Sequence, residues 1–111
     1  MSKVFAIGGI QMHVSVSHSN VEMMKHKVEV MMSVYPWVQM VVFSELCAFG
    51  PLSSNAMPIP NNIEEEFKKL AKRHNIWLVP GSMFTKEGDE IYNTAMVINP
   101  QGELVGRESV N

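Results

Sequence analysis

The sequence predicts an α/β domain built on a mixed β-sheet. Three observations carry that reading. Apolar runs without alternation, Val4 to Met12, Val38 to Ser44 and Ile76 to Val79, read as strands of a sheet covered on both faces. Two amphipathic segments lie between them, giving the order strand, helix, strand, helix, strand. After Val79 the pattern changes to short strands divided by turn sequences, which pair as an antiparallel meander.

The opening stretch "MSKVFAIGGIQMH" has one lysine and a short apolar run broken by Gly8 and Gly9, with no small-residue cleavage site after it. It reads as a buried strand, not a signal peptide. The first helix starts at a capping-box pattern, Ser19 with Glu22 three residues on. Val21, Met24, Val28, Met31 and Tyr35 then form one buried stripe, and Pro36 stops the helix. Four of the ten methionines lie in this segment and read as pliable core filling. The second strand runs from Val38 to Ser44 and ends on Glu45.

The segment "GPLSSNAMPIPNN", with three prolines, is a loop. Asn62 and Glu65 start the second helix, whose buried stripe is Ile63, Phe67, Leu70 and Ala71. Glu64, Glu65 and Glu66 stand in its first turn, with Lys68, Lys69, Lys72 and Arg73 after them. That order complements the helix dipole and gives Glu-to-Lys pairs four apart, so the charge run reads as a solvated face. The third strand is Ile76 to Val79, with Gly81 and Ser82 near its end. The turns "KEGD" and "NPQG" then separate the strands "SMF", "IYNTAMVI" and "ELVG". There is no internal repeat, low-complexity tract or linker.

Composition narrows the function. The 111 residues suit a single domain, and 46% hydrophobic with 18% charged residues makes it globular. A net charge of -2 implies no basic face, so no nucleic acid is expected as a partner. One cysteine cannot form an internal disulfide, which fits a reducing, cytoplasmic compartment. No apolar stretch approaches the roughly 20 residues of a membrane span. His13, His18, His26 and His74 show no metal-ligand spacing with each other or with Cys47, so no metal site is expected.

The candidate site residue is Glu45. In open α/β sheets, ligands bind beyond the carboxyl ends of the parallel strands. Glu45 ends the second strand, and Gly81 and Ser82 lie near the end of the third. The position alone fits either a site residue or the first wet residue after a buried strand. Cys47, two residues on, would share a strand face with Glu45. A carboxylate beside a thiol disfavours the thiolate, so Cys47 reads as packing, not as a nucleophile.

The order "QMVVFSELCAFG", amphipathic helix, "IWLVPGSMF" and "IYNTAMVINPQGELVGR" resembles the N-terminal part of the nitrilase (carbon–nitrogen hydrolase) superfamily, from Val4 to Arg107. The resemblance implies the N-terminal portion of an α-β-β-α sandwich with a mixed sheet, residues 1–111 being part of one such domain. It implies that Glu45 is the general base of a Glu–Lys–Cys set acting on amides or nitriles, with no cofactor or metal. The family usually has proline before that glutamate, where this chain has Ser44. Its lysine follows the strand matching "ELVGR" in a Tyr-Arg-Lys pattern. The matching residues here are Glu108, Ser109 and Val110, with Val110 in the lysine position. Cys47 does not match the family's later cysteine. The ending "GRESVN" therefore reads as a fragment or a shortened or frame-shifted product, inactive as it stands. A small amide or nitrile is the expected ligand of the complete protein, and a homo-oligomer its implied assembly. The alternative is a non-catalytic α/β domain for binding or assembly.

Overall fold

The computed structural model describes residues 4–58 and 62–110. Met1 to Lys3 of the opening stretch, Ile59 to Asn61 of the proline loop and Asn111 lie outside the described residues.

The α/β reading holds. Among the described residues, seven strands form one mixed sheet: β1 (Ile7–Ile10), β2 (Met40–Phe43), β3 (Met57–Pro58), β4 (Trp77–Val79), β5 (Ser82–Glu87), β6 (Glu90–Ile98) and β7 (Leu104–Val110). The helices α1 (Val21–Val34) and α2 (Asn62–His74) follow β1 and precede β4. β1, β2 and β4 are parallel neighbours, as the strand–helix–strand order requires. β6 then pairs antiparallel with β4 at one end, with β5 at the other, and with β7 along its opposite edge. The hairpin between β5 and β6 turns at Gly88, whose φ is +61°. In the "NPQG" turn, Gly102 donates its N–H to the Asn99 carbonyl at 2.9 Å, and Asn99 Oδ1 accepts from the Gln101 and Glu103 amides. Among its described residues, the predicted proline loop holds a 3-10 turn at Ser53–Asn55 and the two-residue strand β3.

Cross-strand registers show which residues share a face. Gly8, Val41 and Leu78 lie in one row, and Leu78 is opposite Ile98. Val41, Leu78 and Ile98 are fully buried with Met24, Val28, Phe67 and Ala71 of the helices. This is the covered face. Met31 of α1 lies so close to Gly8 that a side chain there would strike its sulfur. The alternate residues Ile7, Val42, Val79 and Ala95 lie on the other face, where no described helix packs.

That second face corrects the expectation of a sheet covered on both sides. The run at Val4 to Met12 is not a fully buried strand: Val4 is 84% and Ile7 61% exposed. β1 sits at the sheet edge and, among the described residues, has helices on one side alone, so Ile7 is left exposed while Ile10 is buried. Tyr35 also leaves the buried stripe. The helix ends at Val34, and the non-helical backbone of Tyr35 turns its ring outward, edge-on to Trp37 at 5.7 Å.

Two charge assignments change as well. No capping box forms at α1. Asn20 holds the N-cap position, Ser19 Oγ accepts from the Val21 amide, and Glu22 pairs with Lys25. The acidic turn of α2 is not wholly solvated. Glu64 is buried, forming an ion pair with Arg107 of β7 and lying 3.5 Å from Lys68. The sequence pattern could not reveal this, because Arg107 comes from 43 residues further along the chain. Lys68 also meets Glu65 at 3.1 Å, three residues away.

Candidate functional site

β2 stops at Phe43, and residues 45–49 form a turn at its carboxyl end. Contacts from three other segments hold that turn. The Leu46 amide donates to Ser82 Oγ at 3.0 Å, and Ser82 is buried. The Ala48 carbonyl accepts from the Asn20 amide at 2.8 Å, tying the turn to the start of α1. Asn20 is buried and also bonds both polar backbone groups of Ser15. The Phe49 carbonyl accepts from Asn55 Nδ2 at 3.0 Å. Leu46 itself has φ +55°, a left-handed conformation uncommon for a residue with a Cβ.

Gly81 makes this geometry possible. Its φ is +75°, and an added Cβ would overlap the Ser44 carbonyl oxygen. The chain leaving β4 thus passes directly against the end of β2. Gly81 and Ser82, flagged by their position in the sequence, do converge on the segment carrying Glu45.

Glu45 is exposed at this strand end. Asn93 Nδ2, from β6, donates to its Oε1 at 3.0 Å. Both residues line an open depression of ≈ 390 Å³ with Phe43, Val79, Gly81, Ser82, Ala95, Glu108 and Val110. The Asn93 Oδ1 is buried with no hydrogen-bond partner among the described residues. A carboxylate held by one amide and facing an open cavity can accept a proton from a bound group, which is the geometric minimum for a general base.

Glu45 and Cys47 do not share a face. The turn directs Cys47 into the core, where it is fully buried, while Glu45 points outward. Burial pushes the Cys47 thiol above its ordinary pKa, partly offset by a hydrogen bond with Ser44. Both facts agree with packing. Val110 does reach the site: it lies opposite Asn93 in the β6–β7 ladder and lines the same depression. The position that the resemblance gives to a lysine is therefore at the site, but carries an apolar side chain.

Sequence reasoning missed Asn93 and Glu108. Asn93 stood in "YNTA" but was used only as a marker of resemblance. Its signal was available: on a strand, Asn93 and Ala95 share one face while Thr94 and Met96 take the other. Placing Glu108 needs the β7 register, which extends beyond the predicted "ELVG" to Val110.

The family profile of carbon-nitrogen hydrolases matches residues 6–109. Nitrilase 2 of Arabidopsis thaliana is 32% identical over 59 residues, covering 53% of this chain and 17% of that protein. The structure resembles Nit3 of Saccharomyces cerevisiae, a member of branch 10 of the nitrilase superfamily. The TM-score is 0.71 at 23% identity, over 81% of this chain and 37% of that one. It also resembles a carbon-nitrogen hydrolase from Helicobacter pylori G27, with a TM-score of 0.74 at 19% identity, over 95% and 39% of the two chains. The chain thus spans well under half the length of these relatives, and the structural matches concern the fold. Among the described residues, no helix is long and apolar enough to cross a membrane.

Proposed function

The chain belongs to the carbon-nitrogen hydrolase family, and on that premise we propose that it forms part of a hydrolase of amide or nitrile carbon–nitrogen bonds in which Glu45 is the general base. The observation that carries this reading is the placement of Glu45. It stands two residues past the carboxyl end of the parallel strand β2 and is held over an open depression by the Asn93 amide.

In such a reaction a thiolate attacks the substrate carbon and forms a covalent acyl-type intermediate. The carboxylate takes the thiol proton, returns it to the departing amine or ammonia, then activates water. A cation stabilises the negative charge that develops on the substrate. Of these three groups the described residues supply the carboxylate. Cys47 is sealed in the core, and Val110 cannot act as the cation. The chain by itself is therefore proposed to be inactive. The same two facts favour a second reading, a domain that keeps the depression for binding without turnover.

The test is a chimera in which this chain, carrying Val110→Lys, replaces the corresponding part of a homologous amidase. Glu45→Gln in that chimera preserves shape and hydrogen bonding but cannot shuttle a proton. The expected loss is about 10²–10⁴-fold in kcat, with Cys47→Ala nearly silent. An active chimera that keeps near-normal rates after Glu45→Gln would refute the assignment. Purified unmodified chain should show no turnover of small amides or nitriles.

A further inference from the structure

Asn93 breaks the pattern of the strand that carries it. It stands inside the nine-residue strand β6, although asparagine is disfavoured in strands. Its row across the sheet runs Phe84, Asn93, Val110, so an apolar residue flanks it on each side. Its Oδ1 is buried with no hydrogen-bond partner among the described residues. A buried acceptor left unpaired costs stability, and such an atom in a folded chain calls for a reason.

The reason lies at the other end of the same amide. Nδ2 donates to Glu45 Oε1 at 3.0 Å. An ionised carboxylate only accepts, so the amide must present its nitrogen there and leave its oxygen turned inward. The turn that carries Glu45 does not need this contact. Ser82 Oγ, the Asn20 amide and Asn55 Nδ2 already hold the backbone of that turn. Asn93 bonds the carboxylate instead. Glu45 is exposed, and an exposed glutamate left to water samples several rotamers. With Oε1 engaged, Oε2 has no partner among the described residues and is left to take a proton.

We propose that Asn93 is a positioning residue for Glu45, fixing its rotamer and the oxygen that it offers to the depression. This rests on the reading of Glu45 as general base and adds a residue to that site. Asn93 acts through the carboxylate and not on the reacting atoms. Strand propensity and polar satisfaction both disfavour asparagine here, and functional sites are where such local rules are broken. Fold and function therefore pull in opposite directions at this residue. An apolar replacement removes the unpaired acceptor and suits the strand better, while Glu45 returns to water at little cost. The same replacement frees the carboxylate to wander, and a displacement of about 1 Å at a reacting group can cost about 10²-fold in rate.

The experiment uses the isotope-labelled full chain and the Val110→Lys chimera. In the chain, side-chain scalar couplings of Glu45 are expected to report one χ1 rotamer. In Asn93→Leu and Asn93→Ala they should report averaging. At least one of these two variants is expected to keep or raise the midpoint of chemical denaturation. Asn93→Asp keeps the shape but sets acceptor against acceptor, and should drive Glu45 out of the parent rotamer. In the chimera each variant should lower kcat by about 10²-fold and change KM far less. Averaged couplings in the parent chain overturn the proposal, as does a single rotamer that survives both Asn93→Leu and Asn93→Ala. A lowered midpoint in both variants also overturns it, by assigning Asn93 to the fold. If Glu45→Gln abolishes turnover of the chimera while Asn93→Leu leaves it unchanged, positioning is refuted and the base assignment stands. If Glu45→Gln leaves turnover unchanged, the base assignment falls, and the positioning role falls with it.

Discussion

The two faces of the sheet differ in what covers them, although the same strands supply both. On the covered face, Val41, Leu78 and Ile98 pack against α1 and α2 with no solvent exposure. On the other face, Val42 and Val79 are only partly buried, and Ile7 is 61% exposed. Composition hardly distinguishes the two sides of β2, since each carries aliphatic residues. Arg107 and Glu108 make the same point with charge. The arginine finds a buried partner in Glu64, while the glutamate, one residue on, stands in an open depression. The difference teaches that an unbroken apolar run reports a strand meant to be covered twice. It does not report which cover this chain supplies.

The largest stability effect is expected at Gly81, where the sheet turns from β4 into β5 past the end of β2. Gly81→Ala adds a Cβ at positive φ against the Ser44 carbonyl. Backbone there cannot yield cheaply, so a loss of roughly 2–4 kcal/mol is expected in chemical denaturation. Amide signals of Leu46 and Ser82 should move with it. A variant as stable as the parent would mean that the strand ends do not approach as described.

Polar substitution on neighbouring residues of β2 tests the faces directly. Val41→Thr buries a hydroxyl against the helices and should cost about 1–3 kcal/mol. Val42→Thr, on the open face, should stay within about 0.5 kcal/mol. Equal costs at the two positions would show that both faces are covered in solution, by another copy of the chain or by other protein. Size-exclusion chromatography then identifies the first case, because an open apolar face promotes association.

The smallest effect concerns Cys47. Its thiol pKa is raised in the folded state by burial, so the folded chain holds its proton more tightly than the unfolded chain does. Stability attributable to this thiol is fully present below the unfolded thiol pKa, about 8.5, and is lost as pH rises from there through the raised folded value. The decline should be absent in Cys47→Ala. Alkylation of the native chain should also be much slower than that of the denatured chain. Rapid native alkylation at neutral pH would contradict the buried packing role.

Much of the fold was legible because its signals are local. Pro36 ends α1 through its missing N–H, Gly88 and the "NPQG" sequence set the hairpin turns, and the stripe through Phe67, Leu70 and Ala71 orients α2. Strand order followed from the alternation of apolar runs and helices. The position of Glu45 at a strand end was legible for the same reason; Cys47 does pack in the core, but burial and not a neighbouring carboxylate is what disfavours its thiolate.

Tertiary structure decided the contacts between distant residues. The cap at α1 went to Asn20 instead of the Ser19–Glu22 pattern, because Asn20 also secures Ser15 and Ala48 across a loop. Glu64 became buried because β7 delivers Arg107 to it. Asn93 reached Glu45 across 48 residues, and the β6–β7 register placed Glu108 and Val110 at the same depression. Sequence by itself determined the elements, since helix periodicity, strand runs and turn chemistry act within a few residues. It also placed Glu45 at the carboxyl end of a parallel strand. Only the folded chain decided what surrounds Glu45, because those neighbours come from separate strands brought together by hydrogen-bonded register, and no local pattern encodes that register.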